Sequence, residues 1–201
     1  MKLKIKFTAL LLFVALIPVL ILSSIHIMNI SNELTDISLA ETFNNIIKLE
    51  QKSISFFDGA KEDLLFLAGN QNMQDFINTE DISQKDALFQ KIVHDLILIS
   101  QQKGIYYQIR YIDESGQEVI RVDNHKDPIM IEKAKLQNKG DRYYFQDTMK
   151  LKDGDIFISS LDLNIENGKI ENRGTEENPS YVPTIRYATP LFDKNKNPKG
   201  I

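Results

Sequence analysis

The chain has 201 residues, no cysteine and no tryptophan, 24 Lys+Arg against 28 Asp+Glu, and 42% hydrophobic residues. That length suits one domain plus an attachment. The lack of Cys excludes a disulfide framework, thiolate metal sites, a thiol nucleophile and a lipid-modified N-terminal cysteine. A net charge of -4 leaves no basic excess to neutralise phosphates, so no nucleic-acid partner is expected.

Lys2, Lys4 and Lys6 open the chain, and no Lys, Arg, Asp or Glu follows between Phe7 and Asn32. Phe7–Ile30, written as a helix at ~1.5 Å per residue, is about 36 Å long. It therefore spans the ~30 Å hydrocarbon core of a bilayer with some tilt. Pro18 lies inside it, where the loss of one backbone hydrogen bond is tolerated better than in a soluble helix. The first charges beyond the span are Glu33, Asp36 and Glu41, and the first cation is Lys48. Cations before the span and none soon after it place residues 1–6 in the cytoplasm and residues 31–201 outside the inner membrane. A cleaved secretory signal is the alternative. Its apolar region runs ~7–15 residues and ends in a small-x-small site. The run here is longer, and SSIHIMN after Leu22 offers no clean site. Either way residues 31–201 are exported, and no second span occurs in the sequence.

From Ser31 to Gly69, apolar residues recur at helical steps: Leu34, Ile37, Ala40, Phe43, Ile47, then Ile54, Phe57, Leu64 and Ala68. This predicts a stalk helix ending at Gly69-Asn70, followed by a short helix around Met73–Ile77, together filling residues 31–77. Residues 78–201 form the expected module. A helix is predicted over Ser83–Gln102, with Leu88, Ile92, Leu96 and Ile99 on one face. Ile105 to Ile112 then alternates with the period of a strand, and Asp113-Glu114-Ser115-Gly116 turns into a second strand over Glu118–Val122. Helix or loop is expected over Pro128–Lys139 and a short helix over Arg142–Lys150. A strand follows from Asp155 to about Leu163, then a tight turn at Asn167-Gly168 and a polar loop over Asn172–Pro183. A last strand covers Thr184–Phe192, limited by Pro190. Ile201 reads as the start of a returning strand, which suggests an N-terminal portion of a longer protein without its final strand. The fold class is α+β: helices first, then an antiparallel sheet with helical insertions.

Familiar catalytic motifs are absent: no phosphate-binding glycine loop, no H-E-x-x-H and no G-x-S-x-G. His26, His94 and His125 are scattered, and single packed or solvated histidines are the default. Asp162-Leu163-Asn164-Ile165-Glu166 approaches the start of a calcium loop. The sixth and twelfth positions, where Gly and Glu are required, hold Asn167 and Arg173. A calcium loop is therefore rejected. Arg110 and Arg121 sit in adjacent strands, Arg142-Tyr143-Tyr144-Phe145 opens a short helix, Asp162 ends a strand, and Arg186-Tyr187 lies in the last strand. Arg grips carboxylate or phosphate through paired N–H donors, and Tyr gives a pocket apolar walls with polar tips. Surface ion pairing is the plainer explanation for any one of these arginines. As a group they suggest a pocket for a small ligand.

The anchor, the long helix and the segments YYQIRYIDESGQEVIRV, RYYFQDTMKLKDGDIFISSLDLN and PTIRYATPLFD resemble the extracytoplasmic double Cache (PAS-like) sensor regions of bacterial signalling proteins. Such regions occur in sensor histidine kinases, diguanylate cyclases and chemoreceptors. The resemblance implies a membrane-distal module with a long N-terminal helix and a five-stranded antiparallel sheet whose helix-side loops enclose a ligand. Carried onto this sequence, the pocket would draw on Tyr107, Arg110, Arg142, Tyr144, Asp162 and Arg186. The aromatic-rich signature of amino-acid-binding members is not evident. The implied function is sensing for a two-component histidine kinase, without catalysis by this chain and without a metal or cofactor. The implied partners are a small ligand, anions among the candidates, or a ligand-loaded binding protein, with homodimerisation through the long helix. Two rival readings remain open: an anchored hydrolase using Asp162, and an anchored protein-binding or assembly module without a small ligand.

Overall fold

Helix α1 runs over Lys2–Gly69 in the computed structural model, which describes residues 2–201 apart from the side chains of Lys2, Lys4 and Ala9. Met1, the first residue of the expected cytoplasmic tail, lies outside the described residues. The chain divides into two compact units at Phe56/Phe57.

The first unit is helix throughout. The hydroxyls of Ser24, Thr35, Thr42 and Ser53 donate back to carbonyls four residues earlier, Ser24 to Leu20 at 2.8 Å. A polar group inside hydrocarbon needs such internal satisfaction. Among the described residues, the stretch within Ile5–Gly69 is the one candidate long and apolar enough to cross a membrane.

The second unit carries the rest of the fold. α2 (Gln71–Asn78) starts at Asn70, whose side chain accepts from the Asn72 N–H. α3 (Ile82–Lys103) starts at Asp81, which accepts from the Ser83 and Gln84 N–H groups, and stops at Gly104 in the left-handed conformation. The hairpin of β1 (Gln108–Ile112) and β2 (Glu118–Asn124) forms as expected. α2 was assigned to the stalk from sequence, yet Met73, Phe76 and Ile77 pack with Leu88, Ile92, Val93 and Leu96 of α3 and with Ile120 and Val122 of β2. The apolar half of the sheet module is thus built partly from residues ahead of 78.

Several elements differ from expectation. Pro128–Met130, read as helix or loop, is a third strand, β3, antiparallel to β2. Pro128 begins it, where its missing N–H costs least. A 3₁₀ turn over Lys133–Lys135 and the six-residue α4 (Tyr143–Thr148) follow. The long strand expected over Asp155–Leu163 is broken into β4 (Phe157–Ile158) and β5 (Asp162–Leu163), so Asp162 begins a strand instead of ending one. A two-residue hairpin, β6 (Ile165–Glu166) and β7 (Lys169–Ile170), turns through Asn167 at φ 51 and Gly168 at φ 74. The strand expected over Thr184–Phe192 is likewise divided, into β8 (Pro183–Thr184), β9 (Tyr187–Ala188) and β10 (Leu191–Phe192), which pair respectively with β5, β4 and β11 (Pro198–Gly200). Pro183 opens β8, and Pro190 lies in the break between β9 and β10. The returning strand is docked: Ile112 and Ile201 exchange both backbone hydrogen bonds, at 3.0 and 2.8 Å.

Candidate functional site

Strand alternation sends the two faces of the β1–β2 hairpin to different fates. Ile109, Tyr111, Ile120 and Val122 turn to α2 and α3 and form the core, where Val122 is 0% exposed. The register pairs Gln108 with Asp123, Arg110 with Arg121 and Ile112 with Glu118 on the other face. It slips between Tyr111 and Ile112, leaving Val119 as an extra residue. That bulge matters chemically. Without it Glu118 would share the parity of Ile120 and Val122 and point into the apolar core.

Two arginines opposite one another would repel, and carboxylates on every side prevent it. Arg110 Nη1 lies 2.9 Å from Glu118 Oε1, and Arg110 Nη2 lies 2.6 Å from Glu166 Oε1. Arg121 donates through Nε and Nη2 to the two oxygens of Asp123, each at 2.7 Å, and through Nη1 to Glu166 Oε2 at 3.0 Å. Lys139 Nζ reaches Glu166 Oε2 at 3.4 Å. Gln137 donates its backbone N–H to Glu118 Oε2 at 2.9 Å and its side-chain amide to Glu166 Oε2 at 2.7 Å. Burial by itself would raise the Glu166 carboxyl, but Arg110, Arg121 and Lys139 outweigh it and hold it far below the usual carboxylate range. Burial lowers Lys139, with Glu166 opposing.

Asn164, 3% exposed, joins this cluster to a second one. Its side-chain N–H groups donate to Glu166 at 3.2 Å and Glu171 at 2.7 Å, and its oxygen accepts from Arg186 Nη2 at 3.1 Å. Arg186 also pairs with Asp162, which accepts from the Tyr143 hydroxyl at 2.6 Å. The Arg186 guanidinium lies 5.2 Å from the centre of the Tyr144 ring. Tyr144, buried with Phe145 and Ile112, makes no side-chain hydrogen bond among the described residues. Burial pushes its hydroxyl up, while Arg110, Arg186 and Arg142 pull it down and Glu118 pushes it up further. Arg142, at the start of α4, makes no ion pair among the described residues, although its charge reaches both Tyr144 and Asp162.

Five of the six residues read from sequence therefore gather on one face of the sheet: Arg110, Arg142, Tyr144, Asp162 and Arg186. Tyr107 lies to one side. It borders a concavity of about 430 Å³ at the end of α3, together with Tyr106, His125, Arg173 and Val182. Its hydroxyl donates to Glu171, and the Arg173 guanidinium stacks 4.1 Å from its ring centre. Burial first, and then this bond, push the Tyr107 hydroxyl up to about 12. The link through Glu171 and Asn164 still ties it to the cluster.

Sequence reasoning missed Glu118, Lys139, Asn164 and Glu166 as members of the site. Asp162, Asn164 and Glu166 stand two residues apart, the spacing of one strand face; Asp162 is named for the pocket from sequence, whereas Asn164 and Glu166 enter there only as part of a failed calcium loop. As for acid–base chemistry, burial would raise the Asp162 carboxyl, but Tyr143 and Arg186 win and hold it below the ordinary range. A carboxylate so engaged stays ionised and is a poor general acid.

Two solved structures share the fold. One is the crystal structure of a domain of a putative sensory box/GGDEF family protein from Vibrio parahaemolyticus, with a TM-score of 0.62, 18% identity and coverage of 75% of this chain and 52% of that one. The other is the extracellular domain of the putative histidine kinase vpHK1S-Z8, with a TM-score of 0.62, 18% identity and coverage of 75% and 50%. The chain thus spans about half the length of these structures. No curated protein sequence matches it. The family described as "Bacterial histidine kinase, sensor domain" matches residues 61–197, nearly all of the second unit, and the chain belongs to that family of signal-transduction sensors.

Proposed function

We propose that residues 31–201 are the extracytoplasmic receptor region of a membrane-anchored histidine kinase, binding a small anionic ligand at the Tyr144 face of the sheet. The observation that carries this reading is a tyrosine whose ring is buried while its hydroxyl has no protein hydrogen-bond partner among the described residues, set in the fields of Arg110, Arg142 and Arg186. Arg142, carrying no ion pair among the described residues, supplies the positive charge that an incoming anion would meet. Two charge-assisted hydrogen bonds at ~1.5–3 kcal/mol each would approach the ~5.5 kcal/mol of differential binding that moves a switch from 1:99 to 99:1. The ligand biases the long helix α1, which carries the change as a small shift or rotation to the anchor. The exposed apolar residues Leu34, Ile37, Phe43 and Ile47 favour a second copy of the chain along that helix. The catalytic output belongs to the kinase part of the complete protein, and this region catalyses nothing itself.

The test uses the full chain in lipid nanodiscs, its thermal unfolding followed against acetate, succinate, citrate and inorganic phosphate at constant ionic strength. At least one of these anions raises the midpoint, and Arg142→Ala abolishes that rise while leaving the midpoint without anion unchanged. Arg186→Ala abolishes it as well and lowers the starting midpoint, because Asp162 and Asn164 lose their partner. An anion response that survives in both variants removes the site from this face.

A further inference from the structure

Six side-chain donors converge on one carboxylate, the Gln108 amide being the outermost at 3.5 Å. Arg110, Arg121, Gln137, Lys139 and Asn164 all lie within 3.4 Å of a Glu166 oxygen. Both arginines already own a carboxylate from β2: Glu118 serves Arg110 and Asp123 serves Arg121. The sheet and the segment bearing Gln137 and Lys139 therefore form a cradle of three cations and two anions, with one positive charge left over. Glu166 cancels that charge, and it comes from elsewhere. It sits on the β6–β7 hairpin, whose strands, among the described residues, form a two-stranded sheet by themselves and whose turn (Asn167, Gly168) and strand β7 (Lys169, Ile170) are exposed. Cradle and hairpin are also joined by the Asn167 N–H, which donates to Gln137 Oε1 at 3.0 Å.

A cradle fixed to a packed sheet, filled by an acid on a short self-paired hairpin, has the layout of a receptor site with its own occupant. We propose that Arg110, Arg121, Lys139 and Gln137 form a binding site for the carboxylate of a ligand, and that Glu166 is an internal competitor which the ligand displaces, freeing the hairpin. The proposal rests on the reading of this face as a receptor surface and adds to it a built-in threshold. A plug seated in about nine molecules of ten weakens the apparent affinity of a competing carboxylate about tenfold, because only the open fraction binds. Displacement would also give the ligand a mechanical effect, since the freed segment leads directly through Glu171 to Tyr107 and Arg173.

The experiment uses the full chain in nanodiscs with acetate as the probe and sodium chloride as the ionic-strength control. Glu166→Ala leaves the cradle with its uncancelled charge, so it binds acetate saturably and at least about tenfold more tightly than the wild type. In the wild-type chain, saturating acetate speeds hydrogen exchange at the Asn167 amide, whose bond to Gln137 spans plug and cradle, and matched chloride does not. A Glu166→Ala chain that is folded and binds acetate no better than wild type overturns the proposal. So does an Asn167 amide whose exchange is unmoved by acetate in the wild-type chain, a measurement that stands even if the variant fails to fold. Either failure leaves the Arg142 and Tyr144 response intact, so the loss of the plug and the loss of the receptor site are distinguishable.

Discussion

The two faces of the β1–β2 hairpin share one backbone and are both covered, yet they are held by opposite physics. Ile109, Tyr111, Ile120 and Val122 on one face are stabilised by removal of apolar surface from water and need no directional partner. Arg110, Arg121, Glu118 and Asp123 on the other have given up water and depend on one another. A buried ion pair recovers its desolvation cost only with good geometry, and hydrophobic replacements are often as stable. The helix-side face is therefore explained by folding alone. The charged face is not, and the proposed receptor site lies on it.

The contrast is sharpest in the response to near-isosteric substitutions. Glu118→Gln removes one charge and almost no volume, but leaves Arg110 and Arg121 short of a carboxylate; a loss of about 3–5 kcal/mol in denaturant unfolding is expected. Ile120→Val on the other face removes one methylene and costs about 0.5–1.5 kcal/mol. If the two variants cost the same, the charged face is less dependent on pairing than its geometry implies. The paired change Arg110→Met with Glu118→Leu should regain much of the Glu118→Gln loss while abolishing any anion response.

Acid separates the faces next. The Glu166, Asp162 and Glu171 carboxyls are each held below the ordinary range, with burial opposing and neighbouring cations or donors prevailing. A carboxyl depressed in the folded state contributes its full stability above its unfolded pKa, about 4.3 for Glu, and loses it as pH falls toward the folded value. The unfolding midpoint of the wild-type chain should therefore fall from about pH 5 downward. Glu166→Gln should start lower and show a shallower fall over the same window. An unchanged slope would mean that Glu166 is not held by Arg110 and Arg121 in solution.

The same contrast governs what is legible in the sequence. The apolar face was legible because it obeys simple periods: Leu88, Ile92 and Leu96 at helical spacing, Ile109 and Tyr111 at strand spacing. The end of α1 at Gly69 and the Asn167-Gly168 turn were legible from local backbone chemistry. The charged face was only half legible. Arg110, Arg142 and Arg186 stood out by type, but Glu118 reaches Arg110 only through a one-residue slip that no period announces. Glu166 joins across 56 residues of sequence from Arg110, through a hairpin too short to carry a pattern. The ladder breaks at Ser160 and Pro190 depend on pairing between distant segments, so two continuous strands were expected where five short ones exist. Pairing of that kind is tertiary information.

The smallest effect on stability should accompany the largest effect on function. Tyr144→Phe removes only an oxygen, and that oxygen has no protein hydrogen-bond partner among the described residues, so no pair is broken. The ring keeps its packing on Phe145 and Ile112, and the Arg186 guanidinium keeps an aromatic face beneath it. Unfolding free energy should thus change by no more than about 0.5 kcal/mol, in contrast to Glu118→Gln on the same side of the sheet. The anion response should weaken, because a donor poised among three arginines contributes to ligand binding and to nothing else. The outcome that sinks this account is a Tyr144→Phe chain that unfolds early yet still responds to anion, since it would make the hydroxyl part of the scaffold and leave Arg142 to carry recognition alone.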